Sequence, residues 1–169
     1  VSRDLVVYKE NNDLFVYNIA TETTTQITND GTAGVELYPS ISGNKVVWYD
    51  AALGTRDVFM YDLSTGTKTR ITTDGDATLE YGVSIDGNLL VWHDQTYDIT
   101  LYNLSDGSRT KLTNDGTVTR EFYPDINVDW GIGLTWMRQE HPDAGKNGLA
   151  KDKTILSKNV IGHGSATSA

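Results

Sequence analysis

Two pairs of carboxylates, Asp50 with Asp57 and Asp94 with Asp98, stand at matched places along the chain and are the residues best suited to chemistry by type and spacing. Paired carboxylates close to backbone carbonyls are hard oxygen donors, so the chemistry they offer is calcium binding, with no other cofactor required. Glu36, Glu80 and Glu121 recur in the same way, and Tyr38 and Tyr123 each precede a proline; these five are the residues expected to touch a ligand or partner. The middle unit has Gly82 where the other two have tyrosine, so the tyrosines cannot make a full ring. Asp at the start of a strand and Asn-Asp-Gly in a turn also serve local hydrogen bonds and left-handed backbone, and this turn chemistry outweighs the metal reading. No EF-hand loop is present, because no Asp-x-Asp-x-Asp-Gly is followed by a glutamate at the required distance.

Catalytic motifs are not assembled. His93, His141 and His163 lack metal-ligand spacing, no serine sits in a Gly-x-Ser-x-Gly elbow, and there is no cysteine. Asp50 and Asp94 could act as a carboxylate pair across neighbouring units, but residues repeated for structural reasons produce such pairs by default. The expectation is therefore a protein that is not an enzyme.

The elements that position these residues are written as a repeat. Asp13, Asp57 and Asp98 each open an alternating run, and each run is followed by Ile27-Thr28, Ile71-Thr72 or Leu112-Thr113 and then by Asp-Gly. Spacings of 44 and 41 residues between these aspartates match a repeat of about four strands, the length of one propeller blade. In the central unit, β-rich runs at 81–85, 89–92, 98–102 and 109–113 are separated by turn residues, giving strands A, B, C and D. Strand C alternates, whereas strand B is almost continuously apolar, as a strand covered on both faces must be. Tyr8, Trp48, Trp92 and Trp136 share one strand B position, flanked by Val and Leu, and are read as core in preference to a sugar-binding platform.

Counting strands gives B, C and D of a first unit (4–36), two whole units (37–80 and 81–121) and A plus B of a fourth (122–137). Residues 138–169 form either a degenerate blade, with 154–156 as one more strand, or a tail outside the repeat. The fold expected is all-β: a partial or small β-propeller of four-stranded antiparallel blades, about four in number, with incomplete first and last units. Incomplete end blades expose strand edges, which invites self-association.

The succession Ile27-Thr28, Tyr38-Pro39-Ser40-Ile41, Val46-Val47-Trp48-Tyr49-Asp50 and Asp57-Val58-Phe59-Met60-Tyr61-Asp62-Leu63-Ser64-Thr65-Gly66 resembles the TolB-type β-propeller repeat over residues 4–136. It departs from that pattern at the A–B turn, where Ser42-Gly43-Asn44 and Asp86-Gly87-Asn88 replace the usual Ser-Pro-Asp-Gly and look like propellers of archaeal and bacterial surface proteins. The resemblance implies an exported interaction scaffold, extracellular, at the cell surface or periplasmic, whose partner is a protein or a surface glycan. Some relatives carry peptidases and others are sugar-acid lyases, so the alternative is a partial propeller of a hydrolase or polysaccharide lyase with its catalytic residues elsewhere.

Bulk properties narrow the partners. A chain of 169 residues with 38% apolar residues buries a core, and its formal charge of −9 with a pI near 4.6 opposes nucleic acid and anionic lipid. No apolar run approaches the roughly 20 residues of a spanning helix, so membrane insertion is not expected. A start at Val1 fits a processed end or a boundary inside a longer protein, which leaves export open. Up-and-down strand order sends B–C turns and D–A connections to one face, and 13 of the 23 acidic residues with them. That acidic face is expected to collect cations or a basic protein patch.

Overall fold

The computed structural model describes residues 3–29, 36–50, 57–73, 81–94, 96–114, 119–127, 133–140 and 154–159. Among these residues there are fourteen strands and no helix, in four antiparallel sheets. The first sheet holds β1 (Leu5–Glu10), β2 (Asp13–Asn18) and β3 (Thr23–Gln26). The second runs β4 (Glu36–Ser42), β5 (Lys45–Asp50), β6 (Asp57–Asp62) and β7 (Thr67–Arg70), and the third β8 (Tyr81–Asp86), β9 (Leu89–His93), β10 (Ile99–Asn103) and β11 (Arg109–Lys111). In the fourth, β12 (Thr119–Asn127) pairs with β13 (Gly133–Glu140), which pairs with β14 (Thr154–Asn159). The first sheet thus has strands B, C and D, and the last A, B and C. Within 138–169, β14 is blade, while 141–153 and 160–169, with His141 and His163, lie outside the described residues.

Burial explains the two hydropathy patterns. In β5, Val46, Val47, Trp48 and Tyr49 are all fully buried, because alternate residues point to opposite faces and each face meets a neighbouring sheet. Val46 and Trp48 pack with Leu14, Val16 and Ile27 of the first sheet, whereas Val47 and Tyr49 pack with Val83, Ile85 and Trp92 of the third. A third cluster joins Val91 and Ile99 to Ile126, Leu134 and Trp136 of the fourth. The cores therefore lie between sheets, and each draws on two successive repeats. Trp48 and Trp92 are fully buried and Trp136 is 6% exposed, so these rings are core and not a platform.

Strand D is shorter than its sequence suggests. β11 stops at Lys111 because the backbone N–H of Ile99 turns to the Thr113 hydroxyl, 2.7 Å away, while Leu112 N–H still donates to the Ile99 carbonyl at 2.8 Å. The inner strands β4, β8 and β12 each carry a bulge, between Leu37 and Ser40, Tyr81 and Ser84, and Phe122 and Asp125. At these bulges Tyr38, Gly82 and Tyr123 take φ of 53°, 61° and 50°.

Candidate functional site

The acidic side of the blades is built by one repeated device. Asp57 opens β6, and Thr72, just past β7, accepts a hydrogen bond from Val58 N–H at 3.0 Å while its hydroxyl donates to Asp57 at 3.2 Å. Arg70 completes the group, its guanidinium donating to Asp57 at 2.6 Å. In the first sheet the same parts are Asp13, Thr28 and Gln26: Leu14 N–H donates to Thr28 at 2.9 Å and the Gln26 amide to Asp13 at 3.2 Å. In the third they are Asp98, Thr113 and Lys111, whose ammonium lies 2.9 Å from Asp98 and 3.1 Å from Asp94. The threonine hydroxyl stands in for the carbonyl that strand D no longer offers, and the carboxylate orients that hydroxyl.

The carboxylates expected to hold calcium are buried and ion-paired. Asp50, Asp57, Asp94 and Asp98 are each at most 5% exposed, and Lys68 lies 3.4 Å from Asp50. Among the described residues no group of three or more His, Asp or Glu side chains is placed to hold a metal ion. Asp94 also accepts hydrogen bonds from Thr96 N–H at 2.8 Å and Asp98 N–H at 3.1 Å, the local turn chemistry of an aspartate at a B–C corner. Burial pushes its carboxyl up, but the Thr96 hydroxyl, the Lys111 ammonium and the Asp98 N–H together hold it below the ordinary range. Lys111 is raised by its bond to Asp98, against a smaller opposing effect of burial. His93 is buried, stacks on Tyr97 at 5.9 Å, and is lowered by burial.

Of the five residues expected to contact a partner, the structure places two at the surface. Tyr38 is 52% and Tyr123 60% exposed, both at bulges on inner strands. Tyr38 meets the buried Tyr49 edge-on, with ring centroids 6.4 Å apart. A Cβ on Gly82 would lie 3.5 Å from Pro124 Cδ and 3.7 Å from the Tyr123 backbone, so the third sheet's bulge is closely approached by the fourth. Glu36 is fully buried opposite Asp50 in the register of β4 and β5, which removes it from direct contact with a partner. Glu121 lies within β12, and Glu80 falls outside the described residues.

Sequence reasoning missed two things. The cations set against the acidic face come from strand D, and the position immediately before the Ile-Thr or Leu-Thr pair, Arg70 and Lys111 with the neutral donor Gln26 in the first unit, is the signal. The second is a cavity of about 1010 Å³ at the A–B turn end of the inner strands, walled by residues of all four sheets. Its polar rows are tied from sheet to sheet: Ser42 donates to Asp86 at 3.2 Å, Ser84 to Asp125 at 2.8 Å, and Gly87 N–H to Ser42 at 2.9 Å. The recurrence of polar–Ile–polar in Ser40-Ile41-Ser42, Ser84-Ile85-Asp86 and Asp125-Ile126-Asn127 announces it.

Sheets stacked through their faces, three of them led by an inner strand that borders a shared cavity, define a partial β-propeller. Its fold is TolB-like: TolB from Acinetobacter baumannii superposes with a TM-score of 0.57 at 19% identity, over 80% of this chain and 37% of that one. An oligogalacturonate lyase in complex with manganese gives 0.60 at 12% identity, over 83% and 45%. A chain of a nidogen/laminin complex gives 0.57 at 16%, over 84% and 59%. The chain thus spans less than two thirds of each of these structures. No protein-family model and no curated protein matches the sequence.

Proposed function

We propose that this chain is a non-catalytic binding module that docks a protein partner where the bulges of β4 and β12 expose Tyr38 and Tyr123, in an extracellular, cell-surface or periplasmic setting. The observation that carries the reading is the pair of half-exposed tyrosines held in left-handed backbone where the intervening sheet uses glycine. A bulky residue at such a φ is strained by about 1–3 kcal/mol, and packing against the fold does not call for rings that remain so exposed. Tyrosine is a residue that interfaces favour, because it adds large contact area at low entropic cost. The nidogen/laminin structure shows a neighbour of this fold within a protein complex, which favours a protein over a surface glycan. This reading does not call on calcium, and it is supported by the cations Lys68, Arg70 and Lys111 that lie against Asp50, Asp57, Asp94 and Asp98.

The test is a pull-down from an envelope extract with the chain and with its Tyr38→Gly/Tyr123→Gly variant, followed by titration of the recovered partner. Loss of at least tenfold in affinity with an unchanged melting temperature supports the reading; equal binding sinks it. The likeness to oligogalacturonate lyase carries a second reading, in which this is part of a lyase whose catalytic residues lie elsewhere. Release of unsaturated products from polygalacturonate with manganese would establish that reading instead.

A further inference from the structure

The three inner strands bulge at one matched position, and the middle one differs there. Tyr38 in β4, Gly82 in β8 and Tyr123 in β12 take left-handed φ of 53°, 61° and 50°. Backbone shape alone does not demand glycine at this point, since tyrosine holds the same conformation in both neighbouring sheets at a cost in strain. Crowding does not demand it either. A Cβ on Gly82 would stand 3.5 Å from Pro124 Cδ, 3.6 Å from His93 Cδ2 and 3.7 Å from Tyr123 Cα, all ordinary contact distances. The half-buried glycine therefore leaves a notch between β8 and β12, with an imidazole edge on one side and a proline on the other.

The second sheet displays what such a place accepts. In the register of β4 and β5 Leu37 faces Tyr49, and in that of β8 and β9 Tyr81 faces His93, so His93 holds the place of Tyr49. Against Tyr49 the chain sets its own Tyr38, edge to face, with centroids 6.4 Å apart and planes at 86°. Against His93 it sets Gly82. The imidazole stacks on Tyr97 at 5.9 Å and 18°, and its Nδ1 turns to the Asp94 carbonyl at 3.4 Å, so the opposite, Cδ2–H edge faces the notch. Such an edge carries partial positive charge and suits the face of an aromatic ring.

We propose that Gly82 is the seat for a phenylalanine or tyrosine side chain of the docked protein, which takes against His93 the position that Tyr38 takes against Tyr49. The inference rests on the docking reading of Tyr38 and Tyr123 and adds the chemistry of the partner: an exposed loop or terminus tipped with a six-membered aromatic ring. A branched aliphatic side chain has the bulk for the notch but no π face for the imidazole edge, so the seat selects by ring. Tyr123, 60% exposed and flanking the notch with its backbone, adds contact surface.

The test titrates N-acetyl-tyrosinamide into the 169-residue chain and follows it by NMR. Saturable ring-current shifts at the Gly82 amide and His93 Hδ2 are expected, with N-acetyl-leucinamide binding about fivefold more weakly. Gly82→Tyr supplies the ring from the chain itself, with Tyr38 and Tyr123 as precedent for its backbone, and should weaken the amide about tenfold or more. Gly82→Ala adds only a Cβ at ordinary contact, should weaken it about threefold, and decides the matter if the tyrosine variant does not fold. Equal binding of the leucine amide, absence of saturation, shifts centred elsewhere, or unchanged affinity in the folded variant overturns the proposal. In the pull-down, a partner kept by Gly82→Tyr but lost by Tyr38→Gly/Tyr123→Gly overturns the aromatic seat and leaves the docking reading standing. Loss with both variants supports both.

Discussion

Arg70, Thr72 and Asp57 are three side chains doing one task, and their separate removal should have unequal costs. Thr72→Val leaves the buried Val58 N–H without its acceptor, so a loss of about 1–3 kcal/mol is expected in urea unfolding. Arg70→Ala leaves Asp57, 4% exposed, without its guanidinium; with the arginine itself 34% exposed, about 2 kcal/mol is expected. Lys68→Ala should cost under about 1 kcal/mol, because its 3.4 Å pair with Asp50 is longer and half in solvent. Tyr38→Gly runs against habit: relief of left-handed strain offsets the lost Tyr49 contact, and stability should stay within about 1 kcal/mol. The buried histidine sets the acid response. Its folded-state pKa is depressed, so its contribution is complete above the unfolded value near 6.5 and is lost as pH falls toward the folded one. Asp94, also depressed, loses its contribution only below about pH 4, and Lys111, raised, loses its own above about pH 10. Melting temperature should therefore fall between pH 7 and 5 in the parent chain, and His93→Phe should flatten that fall.

At the scale of strands, most of the architecture was legible because turn residues punctuate runs of period two, and because double burial leaves the unbroken apolar signature of β5 and β9. What escaped was set by partners distant in sequence. Nothing local to Asp50 or Asp98 announces that Lys68 or Lys111 will fold back over it, so the carboxylates read as an open acidic face. Thr113 reads as strand, yet its hydroxyl ends the ladder. The pairing of β14 with β13 crosses a long connection that carries no repeat signal. Two outcomes follow at this scale. Melting in millimolar calcium and in EDTA should coincide; a higher melting temperature with calcium would return the Asp50–Asp57 and Asp94–Asp98 pairs to metal binding. Trp92→Ala, which empties a site between two sheets, should cost about 3–5 kcal/mol by denaturant titration.

For the molecule as a whole, the net charge of −9 is less one-sided than its sequence positions suggest, since strand D brings cations to the acids. Among the described residues no helix is long and apolar enough to cross a membrane. Among the described residues β1 and β14, at the two ends of the blade series, each pair along one edge only. Association through the β14 edge should appear as a concentration-dependent rise in mass by light scattering, and a monomer at every concentration would count against it. The placement of the cores has a mechanical consequence. Because each lies between two sheets and none within one, a pull on the two chain ends should not meet a single yield point. Force spectroscopy should show a sawtooth, each tooth releasing one repeat of 41–44 residues, or about 150 Å of contour.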